Sequence, residues 1–280
     1  MLKNDFVRYC AKHLFRCLAD SDYRTYTRLK NKFARVKRYI PGDIKIGNLS
    51  VSYPDAASFL FMWKEMFFDR IYQFNASSNA PLILDLGANI GLSVLAFKSQ
   101  YPNSKIIAYE ADPEIFRYLE DNVKRNSATD VSLRNEAVWS HECLLSFVGD
   151  HSDGGHVVEQ SSLSTIPVKA SSFKELLLEF PKIDFLKIDI EGAEKEIFKD
   201  IQPESLSHID HIFLEYHHRF GEKPYLAEII SLLEKNGFSL IIQSLNSFSN
   251  PYCIVPENGE FCMQLNIYGI RNLERKDKNG

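Results

Sequence analysis

The stretch LILDLGANIG, residues 82–91, decides the fold. Leu82, Ile83, Leu84 and Leu86 form a near-continuous apolar run, the pattern of a parallel strand covered on both faces. Gly87 and Gly91 bound a turn in which a ligand can approach the backbone closely. The following SVLAFKSQ opens a helix. The next apolar run, KIIAYEADP, reaches its acid, Glu110, nineteen residues past Gly91. A doubly wound sheet puts a carboxylate there, at the carboxyl end of its second strand, where it can accept both hydroxyls of a ribose. A dinucleotide fingerprint would need glycines where Asn89 and Leu92 stand. A nucleoside cofactor fits this turn better than a dinucleotide.

A chain of 280 residues that is 45% hydrophobic can bury a full core. That is enough for one large α/β domain plus an appendage. No apolar segment approaches the roughly 18–20 residues that span a bilayer, and MLKNDFVRYCAKHLFRC carries charges where a signal peptide has an apolar core. No transmembrane segment is expected, and the expected location is the cytoplasm. Cys10, Cys17, Cys143, Cys253 and Cys262 are scattered without a CxxC pair, so reduced thiols are expected rather than a disulfide framework or a zinc site. Cys10 and Cys17 share a helical face with Leu14, as buried small hydrophobes do. The net charge of −4 divides unevenly, +8 over residues 1–38 and −12 over the rest. A basic arm suits anionic lipid, nucleic acid or an acidic saccharide, but interleaved with apolar positions it reads first as a solvated helical face. No aromatic-and-basic stacking pattern accompanies it, so no nucleic-acid partner is expected.

The arm reads as helical to about Tyr39, Pro41-Gly42 breaks it, and GDIKIGNLSVSY is strand-like. Residues 1–54 are thus expected to form a basic, mainly helical cap. Asp55 is an N-cap candidate for an apolar helix over 55–74, in which Trp63 and the neighbouring Phe and Met positions read as core packing. Strands are expected at 82–86, 105–109, 131–135 leading into Ala137-Val138, 185–188, 209–215, 239–245 and 263–270. Helical stretches alternate with the early strands, including PEIFRYLEDNVKRN with Pro113 in its first turn and Asn126 near its end. Such alternation predicts right-handed βαβ units and a parallel sheet. The last two strands, separated by SFSNPYCIVPENGEF, are expected to pair antiparallel. GDHSDGGHVVEQSSLST reads as a loop carrying His151 and His156, and residues 271–280 as a disordered, solvated tail.

DLGANIG, YEADP, NEAVW, IDFLKIDIEGAE and LEYHH, in that order, resemble FkbM-type S-adenosylmethionine-dependent O-methyltransferases over about residues 55–245. KIDIEGAE is the most specific of the five. The resemblance implies a class I methyltransferase domain over 55–270, six parallel strands with a reversed seventh and helices on both faces. It implies S-adenosylmethionine as cofactor. Asp85, Gly87, Ala88, Asn89 and Gly91 correspond to the turn under the methionine part, and Glu110 to the ribose-binding acid. Ala111 and Asp112 would flank the adenine, with Glu136, Ala137 and Val138 on its other side. The family often has Pro where this chain has Ala111.

Transfer to a hydroxyl needs an oxygen in line with the methyl group, so orientation is the largest service a protein supplies, with a general base second. Candidates lie at the ends of strands four and five, Asp189 and Glu191, then Glu215, His217 and His218. If strand four persists, Asp189 and Glu191 project alike. His217 is preferred as base, because imidazole titrates near neutrality and the family pattern has a histidine two residues beyond the strand-five glutamate. His218 reads as a surface or supporting residue. Glu191 can alternatively be a first-turn acid on GAEKEIFKD. No metal-ligand spacing is present and none is assigned, although the same acids can hold Mg²⁺. The acceptor expected is a hydroxyl of a small molecule or glycan, such as a sugar or secondary metabolite. An N-methyltransferase, without an NPPY or DPPY motif to support it, and a non-catalytic cofactor-binding or partner-docking module are the competing readings. A homo-oligomer is compatible with the sequence.

Overall fold

The computed structural model describes residues 19–148, 156–158, 166–245, 252 and 255–271. A helix, Ser21–Phe33, is capped by Asp20, whose side chain accepts from the backbone of Asp22 and Tyr23. An antiparallel hairpin follows, β1 (Gly42–Ile46) and β2 (Leu49–Tyr53). The described part of the cap is therefore a helix and a hairpin. It is sewn to the helix Pro113–Arg125. Asn122 Oδ1 accepts from Ser52 N at 2.7 Å, Asn122 Nδ2 donates to Ser52 O at 2.9 Å, and Asn126 makes the same pair of bonds to Ser50. Phe33, Val51, Tyr53, Phe59 and Trp63 share one apolar cluster with Ile90, Leu92 and Leu95, so the described cap has no separate core.

Asp55 caps the helix Ala56–Trp63 as expected, accepting from Ser58 N at 2.9 Å. The expected continuous helix to residue 74 does not form. From Lys64 to Asp69 the chain winds as a π-helix, and Arg70 ends it with a left-handed φ of 56° and an N–H that returns to Glu65 O. Trp63 and Phe67 stack there with ring centroids 4.1 Å apart, the packing role expected of Trp63.

The remaining strands are β3 (Leu82–Leu86), β4 (Lys105–Tyr109), β5 (Val131–Arg134), β6 (Ala137–Trp139), β7 (Cys143–Val148), β8 (His156–Val158), β9 (Ile166–Ser172), β10 (Ile183–Ile188), β11 (Ile209–Arg219), β12 (Phe238–Ser244) and β13 (Phe261–Arg271). Seven of them form one sheet in the order β12-β13-β11-β10-β3-β4-β5, parallel except that β13 runs against both its neighbours. This is the mixed α/β sheet with a reversed last strand that the sequence predicts. All six residues of β10 are buried. Ile83, Phe185 and Phe213 enter the core on one face, while Leu84, Leu186 and Leu214 enter it on the other, as the two-residue strand period requires. Each such side chain contributes roughly 1.5–3 kcal/mol through burial.

Three departures come from polar sequence. The single run expected over 131–138 splits at Asn135, whose Nδ2 donates to Glu110 O at 2.9 Å, so β5 stays in the main sheet while β6 joins a second one. That second sheet, β6-β9-β7-β8, includes a strand at His156–Val158 where a loop was expected. It also contains β9, IPVKASS, whose alternating burial is masked by Ser and Lys on its outer face. Arg271 belongs to β13 rather than to a tail, since its Nε donates to Ile209 O at 2.7 Å and its NH2 to Leu206 O at 2.6 Å. Residues 272–280, His151, Cys10, Cys17 and Cys253 lie outside the described residues.

The connection reverses direction at β3, with β4 on one side and β10 on the other. Open parallel sheets leave a crevice at the carboxyl ends of the strands at such a switch point. Among the described residues no helix is long and apolar enough to cross a membrane.

Candidate active site

A cavity of about 270 Å³ occupies that crevice. Its first wall is the turn after β3. Gly87 has a φ of +84°, and a Cβ there would fall 1.7 Å from the backbone oxygen of Asp189, so β3 and the end of β10 approach as only glycine permits. Gly87 N and Ala88 N both donate to Tyr109 O, at 3.0 and 2.8 Å. Gly91 (φ +85°) opens the helix Leu92–Gln100, and a Cβ there would fall 2.6 Å from Leu119 Cδ1.

Glu110 sits across this turn. Its Oε2 accepts from Asn89 N at 2.9 Å and its Oε1 from Asp112 N at 2.8 Å. Each oxygen keeps a lone pair for a further donor. Burial pushes the carboxyl up to about 7, against the pull of those two N–H donors. Asp112 caps the helix Pro113–Arg125 through Glu114 N at 2.8 Å while also lining the cavity. Ala111, Ala137 and Val138 line it beside Glu110. Glu136 lines it too, but turns its carboxylate onto Lys169 and the Ser171 hydroxyl.

Asp85 stands behind the wall, fully buried in β3, where the Ser93 hydroxyl donates to it and Lys187 Nζ lies 3.3 Å away. Lys187, buried on β10, also donates to Gly87 O at 2.6 Å and lies 3.4 Å from Asp189. Burial disfavours its ammonium, but Asp189 and Asp85 outweigh that and hold it charged. The lysine sits inside the KIDIEGAE motif, yet sequence reasoning gave it no role.

The second wall is acidic. β10 ends at Ile188, so Asp189 and Glu191 do not continue a strand: Glu191 lies in a turn with φ +54°. Nor is Glu191 the first-turn acid of the next helix, which begins at Glu194. Asp189, Glu191 and Glu215 all line the cavity. His217 lies one layer behind, its side chain 2% exposed, with Nδ1 3.3 Å from Glu194 and Nε2 3.5 Å from Glu215 and 3.6 Å from Glu191. Burial opposes the imidazolium, but Glu194, Glu215 and Glu191 raise its pKa well above 6.5. Glu191 is pushed up to about 9, by burial first and then by Asp189, with His217 opposing. His218 lies farther along β11 and stacks on Tyr216.

Glu194, Gln264 and Glu65 went unnoticed in the sequence. Gln264 reaches the site from reversed strand β13 and donates to Glu215. Glu65 comes from the π-helix, its charge set in an apolar run that reads as packing.

Asp189, Glu215 and His217 bring one potential ligand atom each within 4.8 Å of one another. The donor set does not fit magnesium. That ion takes an octahedral set of oxygens, whereas here one donor is an imidazole facing carboxylates at both nitrogens, and Lys187 already pairs with Asp189. The first wall does fit S-adenosylmethionine, since it joins a backbone cradle that a Cβ would fill to an acid with free acceptor capacity beside apolar Ala111, Ala137 and Val138.

A seven-stranded sheet in this order, reversed at β13 and hollowed at the β3/β10 switch point, is the class I methyltransferase architecture. The family model for the methyltransferase FkbM domain matches residues 85–240, and the chain belongs to that family of S-adenosylmethionine-dependent methyltransferases. It is similar to Methyltransferase 1 of Beauveria bassiana, 25% identical over 65% of this chain and 82% of that protein. It is 22% identical to the 31-O-demethyl-FK506 methyltransferase FkbM of Streptomyces tacrolimicus, over 69% of this chain and 87% of that one. The hexuronic acid methyltransferase AglP of Haloferax volcanii is 27% identical over 59% of this chain and 66% of its own length.

Proposed function

We propose that this protein is an O-methyltransferase that methylates a hydroxyl of a small molecule or glycan. The observation that carries the reading is one cavity with two unlike walls, a glycine turn with Glu110 on one side and Asp189, Glu191 and Glu215 on the other. Gly87, Ala88 and Asn89 would hold the methionine part of the cofactor, Glu110 the ribose, and Ala111, Asp112, Ala137 and Val138 the adenine. When bound, S-adenosylmethionine supplies an electrophilic methyl group on a sulfonium.

The protein's own work is then orientation and proton removal, the first worth roughly 7–11 kcal/mol and the second about 10²–10⁴ in rate. Asp189, fixed by Lys187, orients the acceptor hydroxyl. Glu191 takes its proton in the ionised form, and because burial and Asp189 push its carboxyl up to about 9, that form, and transfer with it, grows as pH rises toward 9. His217 has no free nitrogen facing the cavity, and as an imidazolium it positions Glu191 and Glu215 instead of acting as the base. Of the expected 1–54 cap, the described residues 19–54 serve as a cap on the 55–270 domain.

Calorimetry with S-adenosylmethionine and S-adenosylhomocysteine, with and without Mg²⁺, tests the cofactor. Methyl-label transfer followed by product analysis tests the acceptor atom. Micromolar binding and an ether product support the reading. An N-methylated product replaces it with amine chemistry, and binding without transfer to any hydroxylated acceptor favours a non-catalytic module.

A further inference from the structure

Among the described residues, Glu65 is the one acid of the cavity wall that comes from outside both the sheet and the segment matched by the family model. The π-helix Lys64–Asp69 delivers it. Such π-turns recur at functional sites, because the extra residue in the turn redirects a side chain that an α-helix would aim elsewhere. Phe61, Met62 and Met66 line the cavity from the same segment, so Glu65 is a lone charge on an otherwise apolar wall. Asp189, Glu191 and Glu215 line the same cavity. The two cations of the site are already committed. Lys187 is held by Asp85, Asp189 and Gly87 O, and His217 by Glu194, Glu215 and Glu191.

We propose that Glu65 contacts the methyl acceptor and selects it by charge: the acceptor is an uncharged or ammonium-bearing polyhydroxyl compound, and one bearing a carboxylate or phosphate is excluded. The inference rests on the methyltransferase reading above. Carboxylates accept hydrogen bonds from hydroxyl and ammonium groups, whereas an anion brought among four carboxyl groups, with no uncommitted cation among the described residues of the wall, meets like charge in a partly desolvated space as they ionise, so the exclusion sharpens as pH rises past about 8. The mutual effect is already visible within the protein. Burial, then Glu215 and Asp189, push the Glu65 carboxyl up to about 8, so the three share one field. A bound cation would relieve that field, and a bound anion would add to it.

The test uses the full chain at pH 9, above the value of about 8 to which the Glu65 carboxyl is pushed, saturated with S-adenosylhomocysteine, and three probes of one shape, methyl glucoside, methyl glucosaminide and methyl glucuronide, with binding read by saturation-transfer NMR. The glucoside and the glucosaminide are expected to bind, the glucuronide at least tenfold more weakly. Glu65→Gln should narrow that gap several-fold while leaving the S-adenosylhomocysteine affinity within twofold and the unfolding temperature unchanged. A purely structural Glu65 would not move the ratio. Glucuronide binding as tight as glucoside binding, an unchanged ratio in Glu65→Gln, or no binding of any probe to protein that holds S-adenosylhomocysteine overturns the proposal. Failure to bind S-adenosylhomocysteine strikes the methyltransferase reading instead.

Discussion

Lys187 Nζ donates to the carbonyl oxygen of Gly87 at 2.6 Å, tying the middle of β10 to the turn that follows β3. The same ammonium lies within 3.4 Å of Asp85 and Asp189, so one buried cation fixes the proposed cofactor turn and the acidic wall together. Removing it leaves Asp85 without a cation in a dry interior and Asp189 without one at the cavity wall. Lys187→Met is expected to cost about 3–5 kcal/mol of stability, the usual penalty for breaking a buried pair from one side. It should also weaken S-adenosylhomocysteine binding at least tenfold. Thermal unfolding and calorimetry on the same preparation check both.

Gly87 and Gly47 share a positive φ but differ in surroundings. A Cβ at Gly87 overlaps the Asp189 backbone oxygen, while at Gly47, in the β1–β2 turn, it meets nothing within 4 Å. Gly87→Ala should therefore force β3 and β10 apart and abolish detectable cofactor binding. Gly47→Ala should cost only about 1 kcal/mol of backbone strain and leave binding intact. Equal effects of the two substitutions, measured by calorimetry and unfolding, would contradict the close-approach role of Gly87.

With the ribose role proposed for Glu110, cofactor binding is expected to depend on pH. Its carboxyl is pushed from 4.5 up to about 7, so across that window the folded protein holds a proton that the unfolded chain has released. Its contribution to stability therefore falls as pH rises from about 4.5 to 7. Cofactor affinity should move the opposite way, because only the ionised form accepts both ribose hydroxyls. S-adenosylhomocysteine should bind more tightly at pH 8 than at pH 6, and Glu110→Gln should flatten that dependence while weakening binding throughout.

The apolar strands β3, β4, β10 and β11 were legible because parallel strands buried on both faces leave uninterrupted runs such as ILDL and FLKI. The glycine turn was legible because backbone geometry restricts residue type there, and Glu110 because an acid directly ends the apolar run of β4. β9 was not, since a strand with one solvated face spells IPVKASS, which is also what a loop spells. The π-helix escaped because nothing in KEMFFD distinguishes it from an α-turn, and with it went Glu65. Lys187 and Glu194 escaped for another reason: a charged residue in an apolar motif declares that it must be paired, but its partners, Gly87 and His217, are 100 and 23 residues away.

His217 supplies the sharpest contrast between the sequence reading and the site. A free histidine base would make transfer rise with pH through about 6.5. In the structure its side chain is buried between Glu194, Glu215 and Glu191, which outweigh burial and keep it protonated well above that value. Because the folded pKa is raised, the stabilisation is fully present below about 6.5 and is lost as pH climbs through the folded value. Three consequences are expected together. Wild-type transfer keeps rising with pH toward about 9, the value of Glu191, rather than levelling off above about 6.5, the unfolding temperature falls on the alkaline side, and His217→Asn removes that alkaline fall. The variant should also lose about 3–5 kcal/mol, since it leaves Glu194 buried without its partner. A pH–rate profile beside unfolding curves at each pH decides the matter. A wild-type rise near 6.5 that disappears in His217→Asn would restore the histidine as base and displace Glu191 from that role.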